Sequence, residues 1–557
     1  EISACLVGSE MCIRDRRDRT PPSACAAGTS NGDEPPGSAF EKDGFKLPEH
    51  SQTMSIYRTW RWQIRLLVTA FLLCWLPVVA SSETLSERIL EDPRLNIVAD
   101  RARALLQTGF AAGEAYPSQV FIRDYNTFLL GSCEVLPAGD LRAHLLPFLL
   151  MQEQSGRVPT YYDERGGAPL RTSQNGARLI TADNESSFVQ AISKYVACTH
   201  DESFLQERVN RVSVLDHMSA ALKYLEHSAM DRRYGLITAA TVIDWGDVDQ
   251  EMSGSGTVTT ATNISAAIYP NAMFIIALND YMALLPRSGV NAQYWLNLRN
   301  RLKRGIAHYL WDARRMKFKP HAYVTVSPFP QSFDENELLF EGGTAVAIEA
   351  GLISNAELPA VDAQILEAQK SSNALAIAGS VYPPYPAGFY NNGMLCPFCY
   401  QNGALWPWFG GRMIKQLSDH GLLLQAYSEL SPILDMVISG QGFFEYYTLA
   451  GEPRGSADYR GTAGAVLSAI ESVQNQARAL RTLPAAPFSY VNLPPEYNWH
   501  VERDRYGNVV LYGVAPADAP PPLRAGDHVY VGPDSNFFFF RHPPPITSTD
   551  LINRWSP

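Results

Sequence analysis

Apolar residues recur at intervals of three and four along most of the chain after residue 84. This spacing places them on one face of an α-helix, and it is first clear over Leu95–Phe110. Strict apolar-polar alternation, which indicates strands, is scarce in the same region, with Lys319–Thr325 as the main exception. The spacing predicts further helices over Leu141–Met151, Phe188–Ala197, Val212–Tyr224, Ala272–Leu285, Tyr294–Leu310, Ala345–Leu352, Ile414–Val437 and Ala463–Leu480.

Polar loops rich in Gly, Pro, Asn and Asp separate these helices and are alternately short and long. A bundle, a solenoid and a toroid of helices would all show this alternation. A solenoid should also show a repeat of fixed period, and the chain has none. In a toroid the long loops gather at one mouth, where many segments can build a site. We therefore predict an all-α toroid over residues 84–482.

The two ends of the chain differ from this region. After about Pro484 proline becomes frequent, and Asn508–Val514 and Asp527–Val531 have the composition of strands. Residues 483–557 are predicted to form a small Pro-rich, partly β C-terminal extension. Residues 1–53 lack periodicity, and Glu1–Arg16 resembles translated sequencing-adapter sequence, so we expect an artefact or a disordered leader there.

Residues 54–82 have the pattern of a secretory signal peptide. Arginines precede the apolar run Leu66–Ala80, and small residues follow it. The run is short for a membrane anchor, which needs roughly 20 residues. We therefore expect a protein that is secreted or lies in the secretory lumen (the periplasm in a bacterium), with no membrane span after cleavage.

Four of the eight cysteines lie beyond this signal, and an oxidising compartment would pair them. Four cysteines allow three connectivities, of which we expect Cys133 with Cys198 and Cys396 with Cys399. The second pair has CxxC spacing, but no further zinc ligands stand near it in the sequence, so no metal and no cofactor is predicted. Two N-glycosylation sequons begin at Asn184 and Asn263.

The overall composition narrows the class of ligand. A formal net charge of −11 argues against nucleic acid as a partner, because phosphate binding needs clusters of basic residues. The chain contains 26 tyrosines and 10 tryptophans, which fit a cleft where rings stack on sugar faces and fit a large core equally well. The motifs must therefore carry any functional inference.

One acidic motif stands beside a tryptophan in a predicted loop. Thr241–Asp249 reads TVIDWGDVD. Desolvation by Trp245 would raise the pKa of the neighbouring Asp244, as proton donation near neutral pH requires. A solvated acidic loop or helix cap is the plainer interpretation, which we prefer for Asp247 and Asp249.

Two aromatic motifs follow later in the chain. Phe443–Tyr447 reads FFEYY and holds a single carboxylate, Glu445, among four aromatic residues. An exposed position on an aromatic strand would explain it equally well. Tyr400–Gly411 reads YQNGALWPWFGG, which combines side-chain amides with two tryptophans. Such a segment can bind sugar hydroxyls and sugar faces, or it can be a tight turn that enters a buried helix.

The stretch Tyr400–Pro407 resembles a signature of the six-hairpin glycosidases, notably the amylo-α-1,6-glucosidases of the glycogen-debranching type and the neutral/alkaline invertases. Further segments are similar to these families and follow in the same order. They are Phe121–Asp124, Val158–Asp163, Ile243–Asp244, Tyr269–Ala272, Glu445–Tyr447 and Gly461–Gly464. The resemblance covers about residues 84–480 and implies an (α/α)6 toroid.

The resemblance also implies an activity, that of an inverting glycoside hydrolase acting on an α-glucoside or a similar small glycoside. Asp244 would be the general acid and Glu445 the general base, roughly 6.5–9.5 Å apart so that a water fits between them. Tyr446 and Tyr447 would orient Glu445 through their hydroxyls. The candidate substrate-binding residues are Arg123, Asp124, Tyr161, Asp183, Asn184, Trp245, Tyr400, Gln401, Asn402 and Trp406.

Two departures from these families bear on specificity. Invertases carry two arginines directly after the acid, where this chain has Trp245 and Gly246, and Gln401 replaces the histidine of the debranching-type motif. Both weaken any transfer of sucrose or glycogen specificity, and the oligomeric state is left unspecified. A phosphorolytic relative, with a cationic phosphate pocket in place of the base, and a non-catalytic carbohydrate-binding toroid remain alternatives. A shared pocket for Asp244 and Glu445 would separate these hypotheses.

Overall fold

The computed structural model describes the chain from Leu85 to Phe540 with several gaps. The described residues are 85–166, 183–240, 263–285, 292–324, 326–355, 357–390, 393–481, 494–503, 509–519, 523–531 and 537–540. The predicted leader, signal peptide and sequence around Asp244 lie outside them.

Helices dominate the part of the chain up to Arg481. In chain order they are α1 Leu85–Glu91, α2 Pro93–Leu106, α3 Ile122–Val135, α4 Ala138–Met151, α5 Asn184–Thr199, α6 Val214–Tyr224, α7 Ile268–Leu284, α8 Gln293–Gly305, α9 Glu341–Glu349, α10 Leu358–Ser371, α11 Pro407–Asp419, α12 Leu423–Ser439 and α13 Arg460–Arg481. Side-chain caps fix the start of two of them. The Asp92 side chain accepts a hydrogen bond from the N–H of Arg94 at α2, and the Ser213 side chain accepts one from the N–H of Asp216 at α6.

Six of these helices form a closed inner ring. In order around the ring, α3, α5, α7, α9, α11 and α13 each contact the next, and α13 returns to contact α3. At this closure a Cβ on Gly464 would collide with the backbone of Phe128, so only glycine lets the two helices approach so closely. The all-α toroid predicted from the sequence is therefore the observed architecture.

The inner and outer helices differ in the way their apolar residues are distributed. The inner helix α7 is apolar around most of its circumference, because protein surrounds it on all sides. The outer helix α8 buries Trp295, Leu298 and Leu302 on one face and keeps polar residues on the other. Helical periodicity is consequently clear in α8 and weak in α7.

Connections from an outer to an inner helix are long, and all of them lie at the N-terminal ends of the inner helices. They span residues 107–121, 152–183, 225–267, 306–340, 372–406 and 440–459. We call this end of the toroid the mouth. Connections at the opposite end are shorter, as between α3 and α4. The alternation seen in the sequence thus reflects the two ends of the toroid.

Short antiparallel strand pairs brace the long connections. The pairs are β1 Gln119–Phe121 with β2 Tyr161–Asp163, β5 Met230–Asp231 with β6 Leu236–Ile237, β7 Ser265–Ala266 with β10 Ala322–Tyr323, β8 Trp311–Asp312 with β9 Lys317–Phe318, β11 Leu339–Phe340 with β12 Val381–Tyr382, and β13 Phe444–Tyr447 with β14 Pro453–Ala457. At the opposite end, β3 Arg208–Val209 pairs with β4 Val212–Ser213.

The predicted elements need three corrections. The single helix expected over Ile414–Val437 is wrong, because α11 and α12 are separated by a turn in which Gly421 has φ 86°. The helix expected over Tyr294–Leu310 is α-helical only as far as Gly305, and the chain continues from there as a wider helical turn. The exception at Lys319–Thr325 contains only the two-residue strand β10.

The described C-terminal residues form a separate small sheet. Its four antiparallel strands are β15 His500–Arg503, β16 Val509–Val514, β17 His528–Val531 and β18 Phe537–Phe540. A hydrophobic cluster of its own, which includes Tyr497 and Val529, accompanies the sheet. The two strands expected near Asn508 and Asp527 are thus confirmed.

Both expected disulfides are present. Cys133 of α3 is bonded to Cys198 of α5, and Cys396 is bonded to Cys399. The sequon at Asn184 is not a usable glycosylation site in the folded chain, because that side chain is buried. None of the helices in the described part of the chain combines the length and the apolar character that a membrane crossing requires.

The first disulfide should stabilise the ring considerably more than the second. Cys133 and Cys198 are separated by 65 residues, and Cys396 and Cys399 by 3. Replacing the first pair with serines should lower the free energy of unfolding by about 4 kcal/mol in the chain-entropy description. The matched double serine variant of the second pair should lower it much less. Urea unfolding of the two variants would contradict this expectation if both lost the same stability.

Candidate active site

The first turns of the six inner helices meet at the mouth. Their backbone N–H groups are unsatisfied within the helix and carry partial positive charge, so carboxylates are stabilised near them. Carboxyl groups stand in or beside the first turn of three of these helices, as Asp124 on α3, Asp183 and Glu185 at α5 and Glu341 on α9. The mouth is therefore a natural place for acid-base chemistry.

Glu445 lies on β13, in the hairpin that precedes α13. Its side chain is buried, and its Oε2 accepts a hydrogen bond from the backbone N–H of Ser456 at 3.1 Å. The partner strand β14 thus fixes the carboxylate from behind. The exposed position that the sequence left open for Glu445 is not observed.

Tyr459 follows the Glu445 hairpin and binds Asp124. Its hydroxyl donates to Asp124 Oδ1 at 2.5 Å, and both side chains are buried. Burial raises the pKa of Tyr459 well above its usual range, and the charges of Asp124 and Glu445 raise it further. The phenol therefore stays neutral and keeps donating its proton, which holds α3 and the entry to α13 in register.

Arg123 continues this network on the other side. Its guanidinium lies 3.9 Å from Asp124 Oδ2 and 3.7 Å from Asp183 Oδ2. Tyr269 of α7 donates to Asp183 Oδ2 at 3.1 Å. The network therefore spans three neighbouring inner helices, α3, α5 and α7.

The ring of Trp408 forms part of the floor beneath these charges. The guanidinium carbon of Arg123 lies 6.0 Å from its centroid, and that of Arg412 lies 5.3 Å away. The Nε1 of Trp408 donates to Thr127 Oγ1 at 2.9 Å. Burial removes water from these guanidinium groups and the ring, and desolvation strengthens a cation–π attraction.

Three rings, those of Tyr400, Trp406 and Tyr446, pack together as an aromatic wall. Tyr446 stacks on Trp406 with ring centroids 5.5 Å apart, and Tyr400 meets both rings at steep angles. Trp406 is only 3% exposed and its Nε1 donates to the carbonyl of Tyr400 at 3.0 Å. Tyr446 keeps more exposure, so the face available to a ligand belongs mainly to Tyr446, with Trp406 as its support.

The amide residues of this loop hold the loop itself. The Asn402 side chain accepts from the N–H of Tyr385 at 2.8 Å and donates to the carbonyls of Tyr385 and Leu395 at 3.0 and 2.9 Å. Gln401 and Asn402 are completely buried. The Asn402 side chain therefore holds the loop in place, and the sugar contacts expected of Gln401 and Asn402 stay predictions.

The tyrosine hydroxyls next to Glu445 do not orient it as the sequence suggested. The hydroxyl of Tyr447 contacts the N–H of Phe444 and the carbonyl of Gly442. The ring of Tyr446 faces Trp406. The N–H of Ser456 takes the orienting role, because the hairpin register brings β14 behind the carboxylate.

The other predicted site residues divide into two groups. Tyr161 pairs with Phe121 at the entry to α3, and Asn184 donates to Thr160 Oγ1 at 3.1 Å, so both flank the network. Asp244 and Trp245 lie outside the described residues. The chain leaves toward them after Ala239 and returns at Ser265, which pair with each other at the mouth beside α7.

Sequence reasoning did not single out Tyr459 or Glu341, and it noted Trp408 only as one of the two tryptophans in its motif. Tyr459 and its partner Asp124 are 335 residues apart, and no local pattern joins them. Glu341 precedes two glycines at the start of a helix, a position that would have merited attention. Among the described residues no group of His, Cys, Asp and Glu side chains is arranged to hold a metal ion.

Comparisons with known proteins identify the fold. No protein-family model and no curated protein matches the chain. An uncharacterized conserved protein from Thermus thermophilus matches with 15% identity and a TM-score of 0.51, over 67% of this chain and 99% of that one. This likeness extends to the fold alone, and the closed ring of six inner helices is the (α/α)6 architecture that the resemblance implied.

Two further solved structures are more distant. The GH63 mannosylglycerate hydrolase from Thermus thermophilus, in complex with glucose, matches with a TM-score of 0.49 and 15% identity, over 67% of this chain and 99% of that one. A rhamnosidase from Klebsiella oxytoca with rhamnose bound matches with a TM-score of 0.44 and 12% identity, over 68% of this chain and 63% of that one.

Glu185 makes the stability of the mouth depend on pH. Burial raises the pKa of Glu185 to about 7 from 4.5, and the charge of Asp183 adds to this; the N–H of Val158 and the charge of Arg157 act oppositely. The folded chain therefore retains a proton that the unfolded chain releases near its lower pKa. Protonated Glu185 therefore makes its full contribution to the free energy of unfolding below about pH 4.5. That contribution is lost as the pH rises to about 7.

Glu185→Gln should remove this loss. Glutamine keeps the acceptor for Val158 and cannot ionise, so the variant should gain on the order of 2–3 kcal/mol over the wild type between pH 5 and pH 8. Thermal melts at both pH values would measure it. Glu114→Gln, at an exposed carboxylate, is the control. Its difference in stability from the wild type should be the same at pH 5 and pH 8. A Glu185→Gln variant that parallels the wild type would show that Glu185 is ionised when folded.

Proposed function

We propose that this protein is a glycoside hydrolase that cleaves an α-glucoside or a similar small glycoside with inversion at the anomeric carbon. One observation carries the proposal. A buried carboxylate, Glu445, lies at the mouth of a six-hairpin toroid, in a hairpin whose Tyr446 stacks on Trp406 and which leads to Tyr459, the partner of Asp124. This combination offers a base, a surface for a sugar face and a charged grip for sugar hydroxyls.

Glu445 is the proposed general base. A base in an inverting reaction must hold a water and take its proton as the water attacks the sugar. The backbone N–H of Ser456 occupies Oε2 at 3.1 Å, which fixes the direction of the carboxylate. A fixed carboxylate holds a water in one position and so lowers the entropic part of the barrier.

Asp244 is the proposed general acid. Support comes from the ends of the segment that contains it, since Ala239 and Ser265 pair at the mouth immediately before α7. The neighbouring Trp245 would keep the acid desolvated and protonated. Asp247 and Asp249 are the next carboxyl groups to test.

Arg123 and Asp124 are proposed to hold the sugar that is cleaved. Sugar hydroxyls both donate and accept hydrogen bonds, so a guanidinium next to a carboxylate can bind neighbouring hydroxyls. Tyr459 keeps Asp124 in place through its 2.5 Å hydrogen bond. A phosphorolytic reaction would instead need a cationic pocket where Glu445 stands.

A secreted location is part of the same proposal. The disulfides Cys133–Cys198 and Cys396–Cys399 support it, because such bonds persist in oxidising compartments. Immunodetection of the tagged chain in the culture medium would test it, and retention of the whole population inside the cell would contradict it.

The two carboxyl groups should respond differently to the leaving group. Asp244→Asn and Glu445→Gln should each lower kcat on unactivated glycosides on the order of 10²–10⁴-fold. A p-nitrophenyl glycoside needs little protonation, so it should partly restore the Asp244 variant and leave the Glu445 variant inactive. NMR of the first-formed product should show the inverted anomer.

Glu452→Gln is the matched control for the base. Glu452 lies at the turn of the same hairpin, is exposed and pairs with Arg454 at 2.7 Å, so its variant should keep wild-type kcat. A retained product anomer or full activity of either carboxyl variant would contradict the assignment. Turnover that depends on added phosphate would favour the phosphorolytic alternative.

Tyr459→Phe should weaken catalysis without unfolding the toroid. The change removes the phenol that donates to Asp124, and a hydrogen bond to a charged group is worth about 1.5–3 kcal/mol. We expect kcat/KM to fall roughly 10–100-fold. Tyr447→Phe is the control, since that hydroxyl contacts backbone groups of Gly442 and Phe444 at the start of the hairpin. Equal kinetics for the two variants would contradict the role of Tyr459.

A further inference from the structure

Glu341 is a buried carboxyl group at the mouth that the proposed mechanism does not use. It is the first residue of α9, and only 6% of its surface is exposed. Its backbone N–H donates to the carbonyl of Ser380 at 3.2 Å. Among the described residues, no donor lies within hydrogen-bond distance of its carboxyl oxygens, and burial alone shifts its pKa.

Three other glutamates near the mouth each accept at least one hydrogen bond. Glu185 accepts from the N–H of Val158, and Glu445 accepts from that of Ser456. Glu335 accepts from Tyr385, Tyr323 and His321. An unsatisfied buried polar group costs free energy, so the open hydrogen-bonding capacity of Glu341 points to a ligand that completes it.

The carboxyl group of Glu341 lies against Gly379, a residue that pairs with the loop carrying Trp406. A Cβ on Gly379 would stand 2.7 and 2.9 Å from its two oxygens. Gly379 pairs with Leu405, and the neighbouring Ala378 accepts the N–H of Trp406. The next residue of α9, Gly342, packs against the ring of Phe409, which lies 4.7 Å from Trp408.

The surroundings of Glu341 favour its neutral form. Gly379, Ser380 and Phe409 carry no charge, and His321 and Glu335, behind Phe340, pair with each other at 2.7 Å. Burial raises the pKa of Glu341 to about 8. A neutral carboxyl group has one O–H donor and one carbonyl acceptor, which matches two adjacent hydroxyls of a sugar.

We propose that Glu341 is a specificity-determining residue of the sugar site, where its protonated carboxyl group donates to one sugar hydroxyl and accepts from its neighbour. The inference rests on the proposed function for the kind of ligand, a carbohydrate, and adds a contact on the α9 side of the mouth. The Arg123–Asp124 pair binds sugar hydroxyls through charged groups, and Glu341 binds them through a neutral carboxyl group.

Binding and kinetics of Glu341 variants test the proposal. Calorimetric titrations would use D-glucose, D-mannose and L-rhamnose, and KM would be measured on the corresponding p-nitrophenyl glycosides. Glu341→Leu removes both hydrogen bonds at similar volume and should raise Kd and KM at least tenfold at pH 7. Its melting temperature should equal or exceed that of the wild type, because an unpartnered polar group has been removed.

The pH dependence provides a readout that packing alone would not produce. Wild-type affinity should fall roughly tenfold between pH 7 and pH 9, as the proton that Glu341 donates is lost. Glu341→Gln retains a donor and an acceptor and cannot ionise, so it should bind at pH 7 within about threefold of wild type and lose the alkaline fall. Glu471→Gln, at a carboxyl group far along α13 whose pKa burial also raises, should keep the wild-type profile.

The outcomes separate this inference from the proposed function. Unchanged Kd and KM in Glu341→Leu, with an active wild type, would overturn the role of Glu341 alone. A wild type that binds a sugar through Glu341 and cleaves no glycoside would support this inference and refute the hydrolase. A wild type that binds none of the three sugars and cleaves none of the glycosides would overturn both.

Discussion

The contact between α13 and α3 closes the inner ring, and the arrangement of the mouth depends on it. Because Gly464 has no side chain, the two helices lie so close that a Cβ at this position would collide with the backbone of Phe128. At the mouth end of the same contact, Tyr459 donates to Asp124 at 2.5 Å. Close packing along the helices and one hydrogen bond at their end therefore align the Glu445 hairpin with the charged residues of α3.

Closure also explains why carboxyl groups collect at one end. Every inner helix begins at the mouth, so the partial positive charges of six helix N-termini face the same space. Carboxyl groups placed there fall into two kinds by their surroundings. Asp124 and Asp183 lie near Arg123, whereas burial raises the pKa of Glu185 and Glu341. A single architecture thus gives the carboxyl groups at one end of the toroid two different kinds of surroundings.

Residues of the loop that carries the most recognisable motif hold that loop in place. Asn402 binds backbone groups of Tyr385 and Leu395, and Trp406 supports Tyr446 from behind. The Cys396–Cys399 disulfide lies in the same loop. Residue types that suit sugar binding also suit the bracing of an irregular loop, because both tasks require hydrogen-bonding amides and flat rings.

The sequence by itself determined the helical class, the alternation of short and long connections, both disulfides and, through the Tyr400–Pro407 resemblance, the toroid. These features are local or recur along the chain, so spacing and composition report them directly. The break between α11 and α12 was missed, because helical periodicity continues across Gly421. Only the tertiary structure decided that Gln401 and Asn402 are buried, that Ser456 orients Glu445, and that Tyr459 joins Asp124. Burial and hydrogen-bond partners are set by residues hundreds of positions away, which closure of the ring brings into contact.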